Sequence, residues 1–116
     1  MHPADWIFAE RRHLFTQQDI NSIDTDYFRI ESKGSGCIVI QSKNTGHFWA
    51  ISGAGYGNAV NLQHKHKKTD QWHPQAFHIG SRHTLTGAFE EIKHHDAYYL
   101  NKKRRKVNGI QRRQKT

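Results

Sequence analysis

The stretch that most constrains the fold is Tyr27–Ile51, YFRIESKGSGCIVIQSKNTGHFWAI. Three runs rich in β-branched and aromatic residues, Tyr27–Ser32, Cys37–Gln41 and His47–Ile51, are separated by Lys33-Gly34-Ser35-Gly36 and Lys43-Asn44-Thr45-Gly46. Both separators are turn chemistry, because Gly and Asn accept positive φ at little cost. Antiparallel pairing across the turns sets Ile30 opposite Ile38, Phe28 opposite Ile40, Ile40 opposite Trp49 and Ile38 opposite Ile51. Strand side chains alternate with period two, so Phe28, Ile30, Ile38, Ile40, Trp49 and Ile51 share one face, and a one-residue slip would scatter them. The opposite face is mixed, with Cys37 read as a buried, inert thiol.

A fourth strand follows if Ser52 closes against Ala59. That register puts Val60 opposite Ile51, Leu62 opposite Trp49 and His47 opposite His64. The glycines of Gly53-Ala54-Gly55-Tyr56-Gly57 lead into this strand-like run rather than into a helix, so they read as a hairpin connection and not as a phosphate loop.

The flanks are helical. Pro3 and Asp5 suit the first turn of a helix over residues 3–15. Thr16-Gln17-Gln18-Asp19 has the spacing of a capping box, opening a two-turn helix that ends near Asp24. Leu85, Ala88, Phe89, Ile92, Tyr99 and Leu100 recur at helical spacing, predicting a helix from Thr84 to about Lys103 that lays its stripe on the face led by Ile40 and Trp49. Between strand four and this helix, Trp72, Phe77 and Ile79 are the anchors of a loop that has room for a short fifth strand. The expected architecture is therefore α+β: a four-stranded antiparallel meander, short N-terminal helical segments and a long C-terminal helix on one face.

Charge divides the chain. The net charge is +8, yet residues 1–100 carry ten Lys and Arg against ten Asp and Glu, while residues 101–116 carry eight Lys and Arg and no acid. The expectation is one neutral compact domain over 1–100 and a basic, disordered tail over 101–116. Lys102, Lys103, Arg104, Arg105, Lys106, Arg112, Arg113 and Lys115 are the candidate phosphate contacts. Tyr98 and Tyr99, just upstream, could stack on bases.

Histidine is the other bias. His64-x-His66 on a strand puts two imidazoles on one face, with His47 beside them by strand pairing. His94, His95 and Asp96 lie on the helix. His47, His64 and His66 are the candidate metal ligands, with zinc as the metal, although no established zinc spacing is present. The same three are the candidate catalytic residues of a metal-free alternative, in which imidazoles act as general base and acid and a nearby cation holds a phosphate.

These features predict a small basic cytoplasmic accessory module that contacts nucleic acid through its tail, with no required cofactor and with enzymatic activity left open. The alternatives are a His-based phosphodiesterase or metal-dependent hydrolase, and an interaction module for an acidic protein. The chain has no apolar run long enough to span a bilayer. Its N-terminus has acids and no apolar core of a signal peptide. One cysteine fits a reducing compartment.

Overall fold

The computed structural model describes residues 15–34, 36–54, 59–78 and 83–114, the stretch 106–114 by its backbone alone. In chain order these form α1 (Gln17–Asn21), β1 (Phe28–Lys33), β2 (Cys37–Ser42), β3 (Phe48–Gly53), β4 (Val60–Lys65), β5 (His73–Pro74) and α2 (Leu85–Gln114). The fold is α+β, with an antiparallel sheet in the order β1-β2-β3-β4-β5 and α2 packed across β3 and β4. Residues 3–14 of the expected helix, Ile79 and the glycines at 55 and 57 lie outside the described residues, and Phe15, its expected last residue, is not helical.

Local chemistry explains each boundary. The Thr16 hydroxyl accepts from the Asp19 amide at 3.1 Å while the Asp19 carboxylate accepts from the Thr16 amide at 2.9 Å. This reciprocal cap satisfies two of the donors a helix start leaves open. The helix ends at Asn21, sooner than Asp24, and the Asp24 carbonyl instead accepts from the Tyr27 and Phe28 amides, turning the chain into β1. Between β2 and β3, the Ser42 amide bonds the His47 carbonyl and Gly46 adopts φ 78°, a left-handed conformation that favours glycine. The Thr84 hydroxyl accepts from the Gly87 amide at 3.1 Å and starts α2.

The β2–β3 register is the expected one, with Ile40 opposite Trp49 and Ile38 opposite Ile51. The other two pairings are shifted. Ile30 pairs with Ile40 and Phe28 with Ser42: the β1–β2 turn closes at Lys33–Ile38, three residues off the expected register, and the extra residue of a β-bulge, Glu31, takes one of them back. Across β3–β4, Ile51 pairs with Leu62 and Trp49 with His64. At Phe28–Ile30 and along β4 the slip is two residues, which preserves the face of every side chain. The apolar set therefore stays together, and Ile38, Ile40, Trp49 and Ile51 are wholly buried with Phe28, Val60, Leu62, Ala88 and Ile92. A fifth strand of two residues extends the expected four, pairing His73 with His64.

On the opposite face Ala50 is buried, and Phe48 and Trp72 are half-buried. The Lys65 ammonium lies 4.4 Å from the Trp72 ring centre and 5.8 Å from that of Phe48. Cys37 is exposed, contrary to the expected buried thiol: it opens β2 beside the turn, on the face away from the core.

The helix α2 does not stop at Lys103 but continues to Gln114. Lys, Arg and Gln are good helix formers, and basic residues complement the negative end of the helix dipole. Among the described residues no helix is long and apolar enough to cross a membrane.

Trp49 has no exposed surface, and its indole donates to the buried Ser42 hydroxyl at 3.0 Å. Truncating a ring of this size in a packed core costs about 3–5 kcal/mol. Trp49→Ala should therefore melt far below the parent in a thermal scan; a melting point within about two degrees of it would contradict this packing.

Candidate metal centre

Four imidazoles gather at one end of the sheet. His47 lies at the close of the β2–β3 turn and is 3% exposed. His64 stands on the core face of β4, opposite Trp49, and His66 follows two residues later, just past the strand end. His95 comes from α2. The His64 ring stacks on Trp49 at 4.3 Å between centres and meets the His95 ring edge-on at 4.7 Å. His66 lies flat on His47 at 4.0 Å, and Tyr99, one helical turn past His95, meets His47 edge-on at 4.4 Å. Trp49 is the floor of the cluster.

One ring nitrogen from each of His47, His64 and His66 lies within 4.8 Å of the others. His64 Nε2 and His47 Nδ1 are 3.4 Å apart. Zinc–nitrogen bonds of about 2.0–2.1 Å at tetrahedral angles put ligand nitrogens about 3.3–3.4 Å apart, so this pair already has the required spacing. His66 is exposed, and it is the member with room to turn its nitrogen toward the other two.

The environment keeps the His47, His64 and His95 rings neutral. Burial, then the neighbouring His66 and His95, lower the His47 pKa to about 4. Burial, then His95, His47, His66 and His73, lower that of His64 to about 3. Burial also lowers His95, although Asp96 and Glu91 pull it upward. Neutral imidazole is the form that binds metal.

Asp96 gives a second group, with His47 and His95. Its carboxylate is wholly buried, and both oxygens are engaged: Oδ2 accepts from the Tyr27 hydroxyl at 2.6 Å and Oδ1 from Thr45 at 3.1 Å. Thr45 in turn accepts from the His47 amide at 3.2 Å. Asp96 therefore acts as a support that fixes the turn carrying His47. Burial and this carboxylate together push the Tyr27 pKa up.

Two buried atoms beside the cluster have no hydrogen-bond partner among the described residues, His95 Nδ1 and Glu91 Oε2. The other Glu91 oxygen accepts from the His78 amide at 3.0 Å. Leaving such atoms unpaired in the interior costs free energy. Glu91 and His95 are one helical turn apart and so face the same side of α2.

The cluster opens into a cleft of about 400 Å³ lined by His66, His95, Tyr98, Tyr99, Lys102 and Lys103. The helix thus divides the basic run. Lys102 and Lys103 line the cleft, Arg104 and Arg105 are exposed elsewhere on α2, Lys106, Arg112 and Arg113 lie on its described backbone, and Lys115 falls outside the described residues. The candidate histidines converge, but His47 does not pair with His64 as expected, because of the two-residue slip. His95 and Asp96 join the site from α2, which strand pairing alone does not reveal. Their spacing from Ile92, three and four residues along the buried stripe, is the signal that connects them to it.

No protein-family model, no curated protein and no solved structure matches the chain.

The depressed pKa values fix a pH dependence. An unfolded imidazole titrates near 6.5, while His47 and His64 in the fold titrate near 4 and 3. Between those limits the unfolded chain binds protons that the folded chain refuses. Metal-free protein should therefore hold its full stability above about pH 6.5 and lose it progressively toward about pH 3. Urea midpoints across that range would check this, and a flat profile would contradict it. The slope should shrink in His64→Gln.

Proposed function

We propose that the chain is a metal-dependent hydrolase acting on phosphoesters, with His47, His64 and His66 as ligands of a zinc-type ion. The observation that carries this reading is the convergence of three ring nitrogens, two of them on rings that burial keeps neutral, at the mouth of a cationic cleft. Convergence favours the hydrolase over the simple binding module. Three imidazoles leave a fourth position free for water, as catalytic zinc sites do. A bound ion there would lower the pKa of that water to about 7 and polarise a phosphoryl oxygen.

Each protein group then has a part. His47 and His64 are held by the turn and by Trp49, and His66 closes the set from the rim. His95 lines the cleft beside them and is placed to carry a proton to or from the reacting oxygen. Glu91, one turn before it, is close enough for its charge to raise the proton affinity of that ring. Lys102 and Lys103 hold the anionic ester. An exposed thiol on the one cysteine, Cys37, suits the reducing cytoplasm.

The test is thermal melting of metal-stripped protein with added zinc. A ligand specific to the native state, at about a hundred times its dissociation constant, adds about 2.7 kcal/mol. For a domain of this size the melting point should rise roughly 10–20 °C. His66→Ala, at an exposed position, should fold and lose the rise. Zinc-dependent cleavage of a simple phosphodiester, abolished by a chelator, should accompany it. No shift at neutral pH would remove the metal centre; cleavage that persists in chelator would move the chemistry to the histidines alone.

A further inference from the structure

We infer that the cleft beside the histidines takes a single-stranded nucleic acid, with a base stacked on Tyr98 and the adjoining phosphate held by Lys102 and Lys103. The inference rests on the hydrolase reading and deepens it by naming the substrate class.

Three observations converge on it. Tyr98 is 65% exposed, the one large hydrophobic side chain that stands so open among the described residues. It lines the cleft together with Tyr99, Lys102 and Lys103, and no acid is among the lining residues. After Asp96 the sequence contains no acid at all, while eight Lys and Arg follow. Aromatic faces next to cations are the combination that unpaired nucleotides require, since every base has a face to stack and every linkage a charge to neutralise. A duplex hides its base faces within the stack, so an aromatic platform favours the single strand.

The helix sets the spacing. Tyr98 and Lys102, and Tyr99 and Lys103, are each four residues apart and therefore neighbours on one side of α2. His95 lies one turn earlier on that side, about 5 Å along the axis from Tyr98. A strand lying along α2 with a base on Tyr98 thus has a phosphate on each side of that base, one toward the lysines and one toward the histidines. The volume of about 400 Å³ suits a nucleotide-sized part of the chain. Phosphate contacts and stacking carry little sequence information, so preference among sequences should be weak.

The experiment measures binding of full-length, metal-free protein in chelator, by fluorescence anisotropy. The probes are labelled DNA and RNA single strands of about twelve nucleotides, the matching duplex, and polyglutamate. Single strands should bind more tightly than duplex. Tyr98→Ala should weaken single-strand binding about five- to hundredfold at an unchanged melting temperature, and Tyr98→Phe should restore it. Lys102→Ala/Lys103→Ala should reduce the log–log salt slope by about 0.7 for each phosphate no longer neutralised. Equal binding of Tyr98→Ala and parent would overturn the inference. So would equal affinity for polyglutamate, which would make the surface a docking site for acidic protein, or absence of binding at low salt. The two readings fail separately. Oligonucleotide binding without zinc uptake or cleavage would sink the hydrolase and keep the strand site. Zinc-dependent cleavage of a small phosphodiester without oligonucleotide binding would do the reverse.

Discussion

The buried hydrogen bond between the Trp49 indole and the Ser42 hydroxyl is the contact on which the rest depends. An indole in a core is costly unless its N–H finds an acceptor. Ser42, itself without exposed surface, supplies that acceptor from the last position of β2. With the N–H satisfied, the ring can lie flat against the sheet end and serve two neighbours at once: His64 stacks on it, and His95 meets it edge-on at 5.2 Å. One aromatic residue thus sets the angle of an imidazole from a strand and of another from the helix.

A second polar anchor fixes how α2 lies. Asp96 reaches from the helix to Tyr27 before β1 and to Thr45 in the β2–β3 turn. Each of these bonds joins parts of the chain far apart in sequence, and each is satisfied at both ends. An apolar stripe alone would let a helix slide or roll on a sheet, because hydrophobic contact has little direction. A buried carboxylate with two donors has one position in which it is paired. The outer Lys93–Asp24 ion pair, at 3.7 Å and half exposed, adds little beside it.

Much of this is legible in the residues, and the reason differs by feature. Period-two alternation is a local property, so the face shared by Phe28, Ile38, Trp49 and Leu62 can be read directly. Register is not local: it follows from where the β1–β2 turn closes, from a bulge at Glu31 and from the length of the β3–β4 connection, and none of these has a signature that fixes its size. The two-residue shifts leave the core unharmed and still change the site, moving His64 from His47 to Trp49. The helix joins the cluster through His95, which on a helical wheel looks like any polar residue at the margin of an apolar stripe. The basic run reads as one block because sequence is linear; on a helix it separates into residues that face the cleft and residues that do not.

The two outer margins of the sheet have a consequence for how copies of this chain meet. An exposed strand with free amides and carbonyls invites another chain to pair with it. Along β1 the bulge at Glu31 breaks the even spacing that such pairing needs, and Arg29 and Lys33 bring charge to the same strand. Beyond β4 the outward groups are already taken: the Val60 amide bonds the His83 carbonyl at 2.7 Å, and the Leu62 carbonyl accepts from Gln75 at 2.8 Å. β5 itself is only His73 and Pro74, and proline has no amide hydrogen to offer. The sheet therefore offers an even row of free backbone groups at neither side, which disfavours growth by strand addition.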